Sequence, residues 1–222
     1  MTDEQGAELT ILVPMLGRPH RVAPLLASIQ ATVPAAEVLW LLTPGDHAVV
    51  AEVDRAGGRA LSVGFARGDY ARKINLGYRV TDRPLLFLAA CDLQFHPGWY
   101  QAALDQFADG IGVVGTNDMG NPRVVAGEHA THSLVTRAYA DQGATADGAG
   151  EILHEGYWHE YCDDELVQVA RHRGVWAFAA NSHVEHLHPD YGKAPSDHMY
   201  RRRRPRMRQG APLFAARRSL WT

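Results

Sequence analysis

The sequence contains no long apolar run and very few cysteines. No stretch of about 18 apolar residues occurs, so the sequence predicts no transmembrane helix. The N-terminal segment MTDEQGAELT is acidic and polar, whereas a signal peptide needs a basic start and an apolar stretch. Two cysteines, Cys91 and Cys162, are too few to cross-link a fold of 222 residues, and neither belongs to a Cys-x-x-Cys pair. These absences predict a reduced, cytoplasmic protein.

Lysine is scarce, and acidic residues are missing from the C-terminus. Only Lys73 and Lys193 are lysines, and residues 200–222 hold eight arginines without an acid. Since all 25 acidic residues precede that segment, residues 1–199 carry a net charge of −11 within a chain of −3. We therefore predict a domain over 1–198 and a basic C-terminal tail over 199–222 that contacts an anionic acceptor, a membrane surface or a partner subunit. The alternative is a structural tail docked on the core through Leu213, Phe214, Leu220 and Trp221.

Short apolar segments alternate with segments of helical periodicity. Strands are predicted over 9–13, 38–42, 84–90, 111–114 and 175–184, and helices over 22–29, 47–56, 69–79, 97–107 and 163–173. This alternation predicts an α/β domain with a mostly parallel sheet flanked by helices. Ligands of such sheets bind beyond the carboxyl ends of the strands. The loops after Val13, Leu42, Ala90 and Val114 are therefore the predicted site.

Three segments carry motifs in a recognisable order. The first is ILVPMLGRP at 11–19; the second is ARKINLG at 71–77 with CDLQFHPGW at 91–99; the third is DDEL at 163–166 with VEHLHP at 184–189. Together they resemble the GT-A nucleotide-sugar glycosyltransferases, particularly the inverting family-2-like branch, and more distantly the short enzymes of actinobacteria and their phages. The resemblance implies a single Rossmann-like GT-A domain that moves a sugar from a nucleoside diphosphate, most often UDP, to an acceptor hydroxyl. A phage-encoded enzyme would work in the host cytoplasm.

The resemblance also implies a metal site. Asp92 matches the second acid of the Asp-x-Asp motif and His186 the C-terminal metal histidine, with His188 on the same strand face as neighbour or substitute. Such ligands would hold Mn²⁺ or Mg²⁺ against the leaving diphosphate, and nitrogen ligands favour Mn²⁺. The first acid of the motif is replaced by Ala90. Capping the following helix is the alternative role for Asp92.

Further roles carried over from the resemblance concern the general base and the sugar donor. Asp163 would deprotonate the acceptor hydroxyl, although acids at a helix start also suit the helix dipole. Pro14, Arg18, Lys73 and Asn75 would bind the nucleotide sugar together with Asp92; a solvated helix face is the alternative for Lys73. The turn at 43–46 replaces an Asp-Asp-Gly-Ser turn whose acid contacts uracil, which leaves the base open.

Polar loops after the strands are predicted to line the acceptor pocket. They contribute Asn117, Asp118, His129, Tyr157 and Trp158, and the aromatic residues could stack on a sugar or base. Their alternative role is that of plain surface loops. The acceptor is left open between a protein, a DNA base, a lipid and a glycoside, and so is a homo-oligomeric state.

Three competing functions are weaker. A nucleotidyltransferase would show a glycine-rich basic loop after the first strand, but residues 15–18 contain one glycine. A module that binds an anionic polymer through residues 201–208 conflicts with the acidic body and lacks interleaved aromatics. The missing first acid would also fit a catalytically inactive relative that binds nucleotide sugars.

Overall fold

The computed structural model describes residues 6–108, 110–201 and 203–222. The strands are β1 Leu9–Pro14, β2 Glu37–Leu42, β3 Arg59–Ser62, β4 Leu85–Leu88, β5 Leu93–Phe95, β6 Val113–Asn117, β7 Ser133–Thr136 and β8 Trp176–His186. The helices are α1 Val22–Thr32, α2 His47–Ala56, α3 Asp69–Arg79, α4 Trp99–Leu104, α5 Pro122–Val125, α6 Arg137–Gln142, α7 Cys162–His172, α8 His198–Arg201 and α9 Arg203–Arg218.

The described strands form a mixed sheet in the order β3-β2-β1-β4-β7-β6-β8-β5. β3, β2, β1 and β4 run parallel, β7 is antiparallel to both of its neighbours, and β8 is parallel to β6. β5 pairs antiparallel with the end of β8. The predicted α/β class, with a mostly parallel mixed sheet between helices, is confirmed. The antiparallel β7 was not predicted, because its four residues carry no periodicity of their own.

Both faces of the sheet are buried, as the near-continuous apolar strands require. Along β1, Ile11 and Val13 enter one apolar cluster, while Leu12 enters the cluster on the opposite face. α3 lies close to this second face because Gly77 has no side chain: a Cβ there would lie 2.7 Å from Cδ2 of Leu12. The Asn-x-Gly pattern thus places α3 directly against the sheet.

The described part of the segment 199–222 is packed on the domain. Leu213 and Phe214 of α9 contact the core, Phe214 stacks on Tyr161 at 5.2 Å between ring centroids, and Trp221 is 5% exposed. Leu220, by contrast, is 58% exposed. Three of the four residues named for a docked tail therefore do pack, and the domain boundary at 198 stays a prediction. None of the helices that the structure describes is long and apolar enough to cross a membrane.

Candidate active site

A cavity of about 430 Å³ opens at the carboxyl ends of β1 and β4. Its walls come from the loops after these strands, the start of α3, the β6–β7 loop, the start of α7, the end of β8 and the C-terminal segment. The location agrees with the predicted one for the loops after Val13, Ala90 and Val114, since parallel strands end at a common edge, but none of the described residues 43–46 after Leu42 lines the cavity. Nine of the thirteen predicted site residues line it: Pro14, Arg18, Lys73, Asp92, His129, Trp158, Asp163, His186 and His188.

Asp92 lies at the centre of a polar network and is 4% exposed. Its Oδ2 accepts hydrogen bonds from Nη1 of Arg18 at 2.8 Å and from the hydroxyl of Tyr200, whereas its Oδ1 faces Nε2 of His186 at 3.6 Å. Burial alone would raise the pKa of Asp92, but His186, Arg18 and Tyr200 together bring that pKa well below its usual value. The carboxylate is therefore ionised, with one oxygen anchored and the other turned to a histidine.

The two histidines at the end of β8 differ in which ring nitrogen is engaged. Nδ1 of His186 is buried and has no hydrogen-bond partner among the described residues. Nδ1 of His188 accepts a hydrogen bond from the backbone N–H of Asp190 at 3.1 Å. A neutral imidazole that accepts at one nitrogen carries its proton at the other. The nitrogen of His186 that faces Asp92 is Nε2, so an ion shared with Asp92 would be held by Nε2 with the ring proton on Nδ1, whereas His188 would first have to give up its bond to Asp190.

Sequence reasoning missed a further histidine of the cavity, His132, whose only signal was a polar loop at 127–132. His132 is 4% exposed, and its ring lies 5.2 Å from that of His186. Its Nδ1 donates to the backbone oxygen of Leu88 at 3.0 Å, while its Nε2 is buried and unpartnered within the described chain. Burial and the neighbouring His186 lower the pKa of His132 to about 4. The ring is therefore neutral at physiological pH.

Asp163 begins α7 beside a buried histidine. Oδ2 of Asp163 lies 3.4 Å from Nε2 of His129, and Oδ1 of Asp164 lies 3.9 Å from Nδ1 of the same ring. Despite burial, the hydrogen bond and charge of His129 lower the pKa of Asp163, and Asp163 in turn raises the pKa of His129. Burial and the charge of Asp163 raise the pKa of Asp164, which also accepts a hydrogen bond from Arg123 at 2.8 Å. Asp163 is thus an ionised carboxylate supported by a histidine.

Two groups of three side chains in the described residues bring potential ligand atoms within 4.8 Å of one another: His129, Asp163 and Asp164, and Asp147, Glu151 and His154. Both groups already contain paired members. Asp164 is bonded to Arg123, and Asp147 is held by Arg217 outside the cavity. The predicted ligands Asp92 and His186 instead form a pair that faces one part of the cavity.

Lys73 is fully buried, and its ammonium group is completely used. It donates to the backbone oxygen of Met15 at 2.9 Å and to Oγ1 of Thr43 at 2.7 Å, and it forms an ion pair with Oδ2 of Asp69 at 2.9 Å. An ammonium group has three protons, so none remains for a phosphate. Lys73 holds the loop after β1 in place, and the solvated-face alternative is wrong because the side chain is 0% exposed.

Four predicted site residues do not line the cavity, and their side chains form hydrogen bonds with other groups of the protein. Asn75 accepts from the N–H groups of Ile152 and Leu153, and it donates to the carbonyl of Leu153, which fixes the loop before α7. The others are Asp118, which closes the turn after β6, Asn117, which bonds to the backbone of 119 and 180, and Tyr157, which donates to Glu165.

Asp46, the acid in the turn that replaces Asp-Asp-Gly-Ser, is also engaged elsewhere. Its carboxylate accepts from the N–H of Gly17 at 2.5 Å and caps α2 through Val49. Asp46 is not part of the cavity wall. The position that would contact uracil in the resembling group therefore has a structural role here.

Comparisons with known proteins give structural likeness only. No family model and no curated protein matches this sequence. Among solved structures, the chain is similar to the mannosyltransferase PcManGT from Pyrobaculum calidifontis in complex with GDP-Man and Mn²⁺, with a TM-score of 0.67 and 14% identity. That match covers 89% of this chain and 60% of the mannosyltransferase, so the chain spans less than two thirds of its length.

A second similarity is to glucosyl-3-phosphoglycerate synthase from Mycobacterium tuberculosis. The complex with phosphoglyceric acid matches with a TM-score of 0.61 and 14% identity over 84% of this chain and 76% of that one. The complex with Mn²⁺, UDP and glucosyl-3-phosphoglycerate matches with a TM-score of 0.59 and 13% identity over the same shares. At such identities the matches establish the fold. The chain has the GT-A fold of nucleotide-sugar glycosyltransferases, as the sequence motifs implied.

Proposed function

We propose that the protein is a metal-dependent glycosyltransferase that moves a sugar from a nucleoside-diphosphate sugar, most often UDP-linked in this fold, to an acceptor hydroxyl with inversion. The observation that carries the proposal is one cavity that contains two separate ionised carboxylates, each beside a histidine. Asp92 with His186 has the chemistry of a metal site, and Asp163 with His129 has that of a general base. The GT-A fold and the Mn²⁺ complexes of similar structures support this division.

The residues present fit a divalent cation. Oδ1 of Asp92 and Nε2 of His186 lie 3.6 Å apart, close enough to share one ion, and Nε2 has its lone pair available when the ring proton is on Nδ1. A hard carboxylate oxygen combined with imidazole nitrogen suits Mn²⁺ better than Mg²⁺. Arg18 and Tyr200 hold the other carboxylate oxygen and so orient the ligand. When bound, the ion would neutralise the charge of the leaving diphosphate.

The second pair, Asp163 with His129, has the chemistry of the general base. Inversion needs a group that takes the proton of the acceptor hydroxyl as that hydroxyl attacks the sugar. Asp163 lines the cavity with a lowered pKa, so it is free of its proton at neutral pH. His129, whose Nε2 lies 3.4 Å from Oδ2 of Asp163, orients the carboxylate and stabilises its charge. Trp158, on the same wall, offers an indole face to a sugar ring.

The sugar donor would lie against the loop after β1. This wall of the cavity consists of Pro14, Met15 and Arg18. Lys73 holds the wall in place through its hydrogen bond to the backbone oxygen of Met15. In this assignment Lys73 is a positioning residue that does not touch the nucleotide. The acceptor is assigned only as a hydroxyl compound that reaches Asp163.

Calorimetry with nucleotide sugars tests the proposal. We expect at least one of UDP-, GDP- and TDP-linked sugars to bind in the presence of Mn²⁺ and to lose this binding in chelator. Asp92→Asn should weaken the metal-dependent binding, while Asp105→Asn on the exposed surface serves as the matched control. Equal binding with and without chelator would overturn the metal assignment. Absence of binding for every sugar nucleotide would overturn the proposed function.

A further inference from the structure

The metal site as predicted from the motifs is one acid short. Ala90, which stands where the first acid of Asp-x-Asp is expected, lines the cavity and offers no ligand atom. Asp92 and His186 alone supply two ligand atoms from the protein. An octahedral ion such as Mn²⁺ can take more from side chains, so a third ligand from elsewhere in the chain would compensate for Ala90.

His132 has the free nitrogen that such a ligand needs. A backbone carbonyl can only accept, so Nδ1 of His132 must donate its proton to the oxygen of Leu88. The lone pair of this neutral ring is therefore on Nε2, which is buried at the cavity and has no partner in the part of the chain described. An N–H bond to a carbonyl that fixes the opposite nitrogen is the usual second contact of metal-bound histidines.

The other histidines near the site are less suited. His188 uses its Nδ1 lone pair for the N–H of Asp190, which puts the proton on Nε2. Nε2 of His129 lies 3.4 Å from Asp163, and its Nδ1, which is buried without a hydrogen-bond partner in the described residues, lies 3.9 Å from Asp164, so this ring is placed beside the base rather than beside Asp92. Of these three, only His132 has its proton fixed by a backbone carbonyl and its other nitrogen without a partner in the described residues.

The rings of His132 and His186 have a spacing that one ion can bridge. Their centroids lie 5.2 Å apart with an interplanar angle of 79°. Two imidazoles that bind one ion at about 2.1 Å and at a right angle have centroids roughly 4.6 Å apart. The centroid spacing of the two rings is therefore close to that of two imidazoles that share one ion. The ligand atoms of Asp92, His132 and His186 do not all lie within 4.8 Å of one another. Binding of the ion would therefore bring these three side chains closer together.

The backbone of His132 is held firmly enough to act as a ligand platform. Its carbonyl accepts hydrogen bonds from the backbone N–H of Thr116 at 3.1 Å and from Oγ1 of the same residue at 3.0 Å. Because the following residue begins β7, His132 is fixed between two strands of the sheet. A ligand held by strands keeps its geometry better than one on a free loop.

We propose that His132 is a protein ligand of the divalent cation, together with Asp92 and His186, and that it takes the place of the missing first acid. The inference rests on the proposed function, since it concerns the same metal. It predicts a site with two histidine nitrogens and one carboxylate oxygen, which favours Mn²⁺ over Mg²⁺ more strongly than one nitrogen would.

Pulsed electron paramagnetic resonance of bound Mn²⁺ counts the nitrogens directly. The full-length protein, with ¹⁵N in its histidines, is loaded with Mn²⁺ alone and then with Mn²⁺ and UDP. We expect two coordinated histidine nitrogens in the wild type and one in each of His132→Gln and His186→Gln. The Kd for Mn²⁺ should rise at least about tenfold in His132→Gln. The exposed His172→Gln is the control and should keep both nitrogens and the affinity.

Each other outcome decides against the inference in a distinct way. One nitrogen in the wild type, lost in His186→Gln and kept in His132→Gln, overturns the role of His132 and leaves the proposed function standing. A second nitrogen that disappears in His188→Gln or His129→Gln moves the role to that residue. No bound Mn²⁺ with or without UDP contradicts the metal-dependent function itself. The number of histidine nitrogens bound to Mn²⁺ in the wild type can be measured even if His132→Gln does not fold.

Discussion

Arg217 near the end of α9 ties the C-terminal segment to the domain through a buried ion-pair network. Its Nε and Nη2 donate to the two carboxylate oxygens of Glu165 at 2.8 and 2.6 Å, and its Nη1 and Nη2 donate to Asp147 at 2.9 and 2.8 Å. Glu165 is 0% exposed and Arg217 is 8% exposed. We predict that Arg217→Met, which keeps an unbranched apolar side chain and removes the charged guanidinium group, strongly destabilises the fold.

The magnitude follows from what the substitution leaves behind. Glu165 would keep only the hydroxyl of Tyr157 at 2.8 Å for a carboxylate that water does not reach. Removal of one partner from a buried ion pair costs about 3–5 kcal/mol. For a domain of this size, each kcal/mol lowers the melting temperature by about 2–4 °C, so we expect a decrease of roughly 6–20 °C.

Urea and thermal unfolding, both followed by circular dichroism, measure the loss of stability and the decrease in melting temperature. Arg218→Met is the matched control, because Arg218 is the exposed neighbour and should change stability by less than about 0.5 kcal/mol. The double variant Arg217→Met with Glu165→Met should recover most of the loss, since no buried charge remains unpaired. Equal unfolding midpoints for Arg217→Met and Arg218→Met would refute the reasoning and return the segment to the role of a detachable basic tail.

Three further predictions concern the cavity and the loop beside it. Asp163→Asn should lower turnover about 10²–10⁴-fold with metal-dependent binding of the sugar donor intact, and near-normal transfer would reject Asp163 as the base. His129 has a pKa raised above its ordinary 6.5, so it stabilises the fold fully below pH 6.5 and loses this contribution as the pH rises through the raised pKa. The difference in urea midpoint between wild type and His129→Gln should therefore shrink above pH 6.5; a constant difference would contradict the raised pKa. Asn75→Ala leaves two buried N–H groups unpaired, at about 1–3 kcal/mol each, and should destabilise the protein without weakening nucleotide binding. Weakened binding at unchanged stability would instead place Asn75 in the sugar-donor site.

Local pattern was sufficient for the framework of the fold. The apolar run in β1 and the helical periodicity of α2 and α3 depend on neighbours a few residues apart, and α2 and α3 have the predicted bounds. The rule that parallel strands end at one edge was enough to predict that the loop of Asp92 lines the cavity, whereas Asp163 was assigned from the family resemblance and lines the same cavity. Shorter elements such as β7 owe their existence to pairing with β4 and β6, which no local signal reveals.

The tertiary structure alone decided how the polar side chains are used. Lys73 bonds to Thr43, 30 residues away, and so is unavailable to a phosphate; the tautomer of His132 depends on Leu88, 44 residues away. Arg217 became a structural residue because Glu165, 52 residues earlier, is buried beneath it. The sequence does not show whether a charged or polar residue binds a ligand or another part of the chain. The role of such a residue depends on which distant atoms form its hydrogen bonds or ion pairs once water is excluded. Only the packed fold determines which atoms these are.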